Sequence, residues 1–318
     1  ADQIAVYPEY DGLREAVVAN LSNRDRGRPG LAHPLSASQV GLFNGVDAAI
    51  HAIFHAYGDR GDRLLTTSPT FGYYTPCAQM QGMEILAIPY EGSDFRFPLE
   101  AIRKHVLEQK PRLLLLCNPN NPTGTRLAPE QIQQLAIAAP QTLLVIDELY
   151  EAFTGDSVLP QADFSATPNL LVLRSLAKTA GLAGLRIGFA IGAADVVERI
   201  SRVTGPYDIN SFAVIAAFAA LDDQAYVDAY VADVLKAREW ISARLAASGL
   251  RYHLDGGNYL LIWPQQQPTE VEAALRKRGI LVRLMTGKPL IDGSLRVSIG
   301  TIEQMQQFWE NFAAIESV

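Results

Sequence analysis

The sequence predicts an α/β protein built on a largely parallel sheet, and three observations carry that reading. Short apolar runs with few interruptions have the length and character of strands buried on both faces: 63–67 (RLLTT), 112–118 (RLLLLCN), 142–148 (TLLVIDE), 169–175 (NLLVLRS) and 184–192 (GLRIGFAIG). Helical patterns alternate with them, with apolar residues at three- and four-residue spacing over 47–58, 98–109 and 128–139, the last opening on Pro129 in a favoured first-turn position. Such alternation places helices against the faces of a parallel sheet. Finally, a long helical stretch over 211–248 leads into a part with strands of its own at 258–263, 280–284 and 294–300, which reads as a connecting helix and a smaller α+β domain. There is no internal repeat, low-complexity tract or flexible linker.

Composition narrows the function. A chain of 318 residues with 48% hydrophobic content can bury a sizeable core and suggests one large domain with a smaller one. Its net charge of −7 and the lack of any like-charge run offer no footprint for nucleic acid or an anionic membrane, so a small-molecule substrate is expected. The longest apolar run, 212–221, is about half of what a membrane span needs. The N-terminus lacks a basic region followed by an apolar one, so no signal peptide is expected, and the location is read as cytoplasmic. Cys77 and Cys117 match no metal-ligand spacing and read as two reduced thiols. His51 and His55 are one turn apart without the glutamate of a zinc-protease helix, and read as helix-packing residues; no metal is expected.

Ligands of open α/β sheets sit beyond the carboxyl ends of the strands, so the polar residues that follow each apolar run are the ones that bear chemistry. Three strand ends offer a coherent set: NPNNPTG (118–124), DELY (147–150) and RSLAK (174–178). Singly, each has an ordinary reading as a turn, a solvated carboxylate or a surface lysine. Together they supply an amide, a carboxylate with a phenol, and a hydroxyl with an amine. Lys178, flanked by Ala177, Thr179 and Ala180, sits in weakly polar surroundings where desolvation lowers an amine's pKa and suits it to Schiff-base chemistry. Arg186 then reads as an anion partner.

On these residues the chain resembles the pyridoxal-phosphate (PLP) aminotransferases of the aspartate aminotransferase fold, fold type I, and among them the histidinol-phosphate aminotransferases. The resemblance covers nearly the whole length. It implies that Lys178, three residues after Ser175 and eight before Arg186, holds PLP as an internal aldimine while Ser175 and Arg186 grip the phosphate. It places Asn121 and Tyr150 at the pyridine 3'-oxygen, Asp147 at the ring nitrogen, and Phe71 against the ring. The backbone amides of Val46 and Asp47 would bind phosphate at a helix N-terminus. Tyr7 matches the tyrosine that reaches the neighbouring subunit's phosphate, which implies a homodimer with shared sites. Arg296 matches the arginine that clamps a substrate carboxylate, and Arg283 and Asn258 match substrate-side positions. The implied organisation is an N-terminal arm over 1–20, a large PLP-binding domain over 21–210 with a sheet of seven-stranded type, and the connecting helix with the small domain over 211–318.

Two departures from the family pattern stand out. Ala177 replaces a serine that often contacts the phosphate, and the chain begins only six residues before Tyr7, where the family has some tens. Either the N-terminus is truncated or the substrate pocket is built differently. Three functions follow: amino transfer between an amino acid or amino alcohol (histidinol phosphate or an aromatic amino acid) and a 2-oxo acid, decarboxylation of a phosphorylated amino acid, or PLP sensing without catalysis.

Overall fold

The computed structural model describes residues 5–23 and 30–317. In chain order its elements are α1 (Leu13–Ser22), β1 (Val40–Phe43), α2 (Val46–Tyr57), β2 (Arg63–Ser68), α3 (Tyr74–Met80), β3 (Glu84–Pro89), α4 (Leu99–Gln109), β4 (Leu113–Cys117), α5 (Pro129–Ala138), β5 (Leu143–Asp147), β6 (Leu170–Ser175), β7 (Gly188–Gly192), α6 (Ala194–Ser201), α7 (Ser211–Asp222), α8 (Gln224–Ser248), β8 (Arg251–His253), β9 (Tyr259–Trp263), α9 (Pro268–Lys277), β10 (Arg283–Leu284), β11 (Leu295–Ser298) and α10 (Ile302–Glu316). Residues 1–4 of the expected arm and 24–29 of the expected large domain lie outside the described residues.

A seven-stranded sheet runs in the order β1-β7-β6-β5-β4-β2-β3. Its centre is parallel, from β3 through β2, β4 and β5 to β6. β4 and β5 are buried at every residue, which is why their sequences read as unbroken apolar runs rather than alternating ones. The 184–192 run corrects the sequence reading. Only 188–192 is strand, and it pairs antiparallel with both β6 and β1. A parallel strand needs a crossover, usually an α-helix, whereas residues 176–187 between β6 and β7 hold no α-helix, only turns and a 3₁₀ turn at Ala183–Leu185, and the chain reverses. The sequence reading also lacks β1, only four residues long, and β3, an edge strand with little burial.

The helical stretch over 211–248 is two helices. Asp223, with φ −89° and ψ 60°, ends α7, and its carboxylate accepts the Tyr226 amide at the start of α8. Ala213, Val214 and Ala217 of α7 pack in the core under the large sheet, whereas Val231, Val234, Ile241 and Leu245 of α8 pack against the second sheet, so the chain passes between cores at this break. That second sheet, antiparallel in the order β10-β11-β9-β8, is covered by α8, α9 and α10. The two cores meet through the 118–124 loop. Tyr259 donates to the Asn120 carbonyl at 2.6 Å, and the Gly256 amide donates to the Gly124 carbonyl at 2.9 Å. Gly124 has φ +76°, and a Cβ there would lie 2.6 Å from the Gly256 carbonyl oxygen, so both the turn and the approach require glycine.

His51 and His55 stand edge-on to each other on the exposed side of α2 and do not pack in the core; the buried side is formed by Ala49, Ile50, Ala52, Ile53 and Phe54. Among the described residues no group of His, Cys, Asp or Glu is placed to hold a metal ion, and no helix is long and apolar enough to cross a membrane.

Candidate active site

The three strand ends converge on one cleft, lined among others by Asn121, Asp147, Tyr150, Ser175, Lys178 and Arg186. Asp147, the last residue of β5, is 2% exposed. Its Oδ2 accepts a 2.7 Å hydrogen bond from the Tyr74 hydroxyl and its Oδ1 accepts the Leu149 amide at 3.3 Å. Burial raises the carboxyl to about 6 from its ordinary 3.8, against the opposing pull of these two donors. No guanidinium or ammonium among the described residues is hydrogen-bonded to it, so the carboxylate suits a cationic ligand atom.

Lys178 is half-buried, with Nζ 5.8 Å from the centre of the Tyr150 ring. Burial, and then the charge of Arg296, lower its pKa, which favours the neutral nucleophilic amine. Tyr150 follows Asp147 by three residues; burial pushes its hydroxyl up to about 12, so it is a protonated donor at neutral pH. Arg296 of β11 stands over the Tyr259 ring at 4.3 Å and reaches the Tyr150 hydroxyl at 3.5 Å. Its Nε is buried without a hydrogen-bond partner, an orphan donor that an anion in the cleft would satisfy.

The opposite end of the cleft is built for an anion. α2 begins at Val46 after Gly45, whose φ of +78° turns the chain from β1 into the helix. The first turn's hydrogen bonds to Gly45 begin at Ala48 and Ala49, which leaves the amides of Val46 and Asp47 at a positive helix terminus. Arg186, in the left-handed region at φ 59°, lies across them and pairs with Asp47 at 2.6 Å. Cβ atoms at Gly45 and Gly188 would collide with Arg186 Nη2 at 2.7 Å and the Val46 amide nitrogen at 2.6 Å, so two glycines let arginine, strand and helix start meet. Ser175 Oγ donates to the Ile187 carbonyl at 3.1 Å and accepts the Ala177 amide at 3.0 Å, which fixes the loop that carries Lys178.

A second cavity shares Phe71 and Asn121 with the first and adds Arg283, Lys288 and Arg296. Thus Val46, Asp47, Phe71, Asn121, Asp147, Tyr150, Ser175, Lys178, Arg186, Arg283 and Arg296 each line one or both of these two neighbouring cavities. Two expected residues do not. Tyr7 stacks on Tyr207 at 4.2 Å and is 72% exposed, outside its own chain's cleft. Asn258, on the turn before β9, lines neither cavity, and its carbonyl accepts the Ile299 amide at 2.7 Å. Sequence reasoning missed Tyr74, the partner of Asp147, and Cys117, which lines the cleft floor with its thiol pushed up by burial. A tyrosine among aromatics carries no local mark of such a role. Glu148, next to Asp147, is also buried, at 1% exposed.

A half-buried amine, a buried carboxylate, a phenol and an anion cradle in this order define an enzyme of the PLP-dependent class, and the comparisons agree. Residues 1–312 match the family model described as aminotransferase class I and II, and the chain belongs to that family. It is a PLP-dependent aminotransferase of fold type I. It is similar to the histidinol-phosphate aminotransferase of Roseiflexus castenholzii, 37% identical over 94% of this chain and 78% of that protein. It is likewise similar to that of Symbiobacterium thermophilum, 31% identical over 98% and 83%. The fold matches the histidinol-phosphate aminotransferase of Sinorhizobium meliloti solved with PLP, at TM-score 0.84 and 22% identity over 99% of this chain and 85% of that one. It also matches the L-threonine-O-3-phosphate decarboxylase of Porphyromonas gingivalis, at TM-score 0.81 and 24% identity over 100% and 92%. The residues present fit the cofactor: Lys178 for its aldehyde, Asp147 for the ring nitrogen, Arg186 with the α2 amides for its phosphate.

The raised carboxyl of Asp147 sets a pH dependence. With a folded value of about 6 against 3.8, its contribution is fully present below about pH 4 and is lost as pH rises through 6, a fall of about 3 kcal/mol. Glu148, raised to about 7 by burial, acts in the same direction. Urea unfolding of cofactor-free protein should therefore show a smaller loss of stability between about pH 4 and pH 7 in Asp147→Asn than in the parent chain. Identical pH profiles would contradict the burial of this charge.

Proposed function

We propose that the chain transfers an amino group between a phosphorylated amino alcohol of the histidinol phosphate type and a 2-oxo acid, acting as a homodimer. The observation that carries the reading is a pair of arginines in the cavity next to the Lys178 cleft. Arg283 and Arg296 are register partners on adjacent strands and border a cavity that meets that cleft at Phe71 and Asn121. The names of the similar proteins point the same way.

PLP, when bound, supplies an electron sink that acidifies the bond to the donor's α-hydrogen. Asp147 would hold a proton on the ring nitrogen, because a buried carboxylate without a cationic partner is stabilised by one. Tyr150 and Asn121 serve the 3'-oxygen. Lys178, its amine pKa lowered by burial, would take the α-proton as base and return it as acid. Arg296 meets the donor's anionic group with Nε and a fork of parallel donors, and the apolar walls exclude water. A carboxylate or a phosphate satisfies that fork equally, so the residue serves both members of the substrate pair.

The dimer reading rests on α7. Phe212, Ile215 and Phe218 are 57%, 50% and 36% exposed along one face, close in the sequence to Tyr207, on which the exposed Tyr7 stacks. A second copy covering this face would bring Tyr7 to the partner's phosphate cradle. The arm over 1–20, the large domain over 21–210 and the remainder as connecting helix with small domain go with this reading, as does Asn258 as a substrate-side residue. A cytoplasmic location accords with two free, buried thiols, Cys77 and Cys117.

With histidinol phosphate and a 2-oxo acid, the protein should form the new amino acid without releasing CO₂. Arg296→Ala should lower kcat/KM by about 2–4 kcal/mol, as for truncating one partner of a buried charge pair. Stoichiometric CO₂ from a phosphorylated amino acid would establish a decarboxylase instead. Mixing Tyr7→Ala with Lys178→Ala should restore part of the activity through hybrid dimers with one intact site. No recovery after demonstrated subunit exchange would overturn the shared site.

A further inference from the structure

The most heavily charged buried cluster lies just behind the cleft and lines none of it. Arg174, the penultimate residue of β6, donates through Nη1 to Glu148 Oε2 at 3.0 Å and pairs through Nη2 with Glu151 Oε1 at 2.5 Å. Glu148 has no exposed side-chain surface, and its oxygens also accept the Ser157 hydroxyl and the Val158 amide, both at 2.7 Å. Burial opposes the charge on Arg174, and the two carboxylates outweigh it. Such clusters are poor sources of stability, since apolar side chains of similar volume often do as well. What they supply is direction, because a planar fork fixes two partners at once.

The partners are the neighbours of the chemistry. Glu148 follows Asp147, and Glu148 and Glu151 bracket Tyr150, while Arg174 precedes Ser175 and lies four residues before Lys178. The ladder between β5 and β6 ends at the pair Asp147–Leu173, with one further bond from the Glu148 amide to the Leu173 carbonyl at 3.0 Å. Beyond it the loop over 148–151, carrying Tyr150, and the loop over 175–178, carrying Lys178, diverge on the cleft side. Arg174 joins them from the other face, since adjacent strand residues point to opposite sides.

We propose that Arg174 is a positioning residue: its fork on Glu148 and Glu151 sets the placement of Lys178 relative to Asp147 and Tyr150. The proposal rests on the cleft being the PLP site, and the parent protein's visible cofactor band establishes that separately. The test uses PLP-loaded Arg174→Lys, which keeps the charge and loses the fork, with Glu151→Gln, which keeps volume and leaves Arg174 bonded to Glu148. Three quantities are measured for each: the unfolding temperature of the cofactor-free chain, the pH midpoint of the visible band, and kcat and KM separately.

Both variants should stay folded, shift the band's midpoint, and lose roughly 10- to 100-fold in kcat with little change in KM, as for a misplacement on the order of 1 Å. A purely structural cluster would lower the unfolding temperature and leave the midpoint and kcat unchanged in the folded fraction. That result in either variant overturns the proposal. If Arg174→Lys does not fold, Glu151→Gln decides by the same readings.

Discussion

The arrangement of this protein depends on one constraint: the carboxylate of Asp147 is kept out of water at the end of a central strand. Burial alone would protonate it, and the Tyr74 hydroxyl with the Leu149 amide recover only part of the lost hydration. The remaining imbalance favours a cation in the cleft, and a protonated pyridine nitrogen would provide one. The parallel centre of the sheet matters here because β4, β5 and β6 all end on the same side. Asn121, Asp147 with Tyr150, and Ser175 with Lys178 are therefore brought to one cleft by the topology and not by loop wandering.

Around that carboxylate the positive groups are distributed by purpose. Arg186 lies at the α2 start, where free amides already favour an anion, and Asp47 holds its guanidinium there. Arg296 comes from the second sheet and ends beside Tyr150, with one donor unsatisfied. Both arginines raise the cost of a further cation, which is part of why Lys178 is disposed to be neutral; burial is the larger part. A lowered pKa is what an amine needs in order to serve as both nucleophile and proton carrier, the role proposed for Lys178. Because Arg296 lies on β11 and Asp147 on β5, the contact of the 118–124 loop with Gly256 and Tyr259 governs whether the two halves of the site are in register.

The parts of this that were legible in the sequence are those where local pattern and tertiary role coincide. Leu113–Cys117 and Leu143–Asp147 are apolar throughout because both faces are covered, so the strands and the polar residues after them could be read together. The Ser175–Lys178–Arg186 spacing was legible because it is contained in one loop and one strand start. Strand direction was not: nothing in GLRIGFAIG distinguishes a parallel strand from the antiparallel β7, because buried central strands look alike in either sense. Tyr74 was illegible for a different reason. Its partner is 73 residues away, and a fully buried tyrosine reads as core until the carboxylate beneath its hydroxyl is seen. Glu148 carries no sign of burial in the sequence, since glutamates are rarely buried unless paired and only the fold brings Arg174 to it. The break at Asp223 was masked by strong helix formers on both sides, a case of a side-chain cap overriding periodicity.

The central claim is that Asp147 keeps the cofactor's ring nitrogen protonated, and it can be observed directly. Nitrogen NMR of protein loaded with PLP labelled at the ring nitrogen should show a protonated nitrogen at about pH 8, well above the ordinary pyridine range, and a deprotonated one in Asp147→Asn. A ring nitrogen that is unprotonated in the parent protein at that pH, or that Asp147→Asn leaves unchanged, would contradict the account.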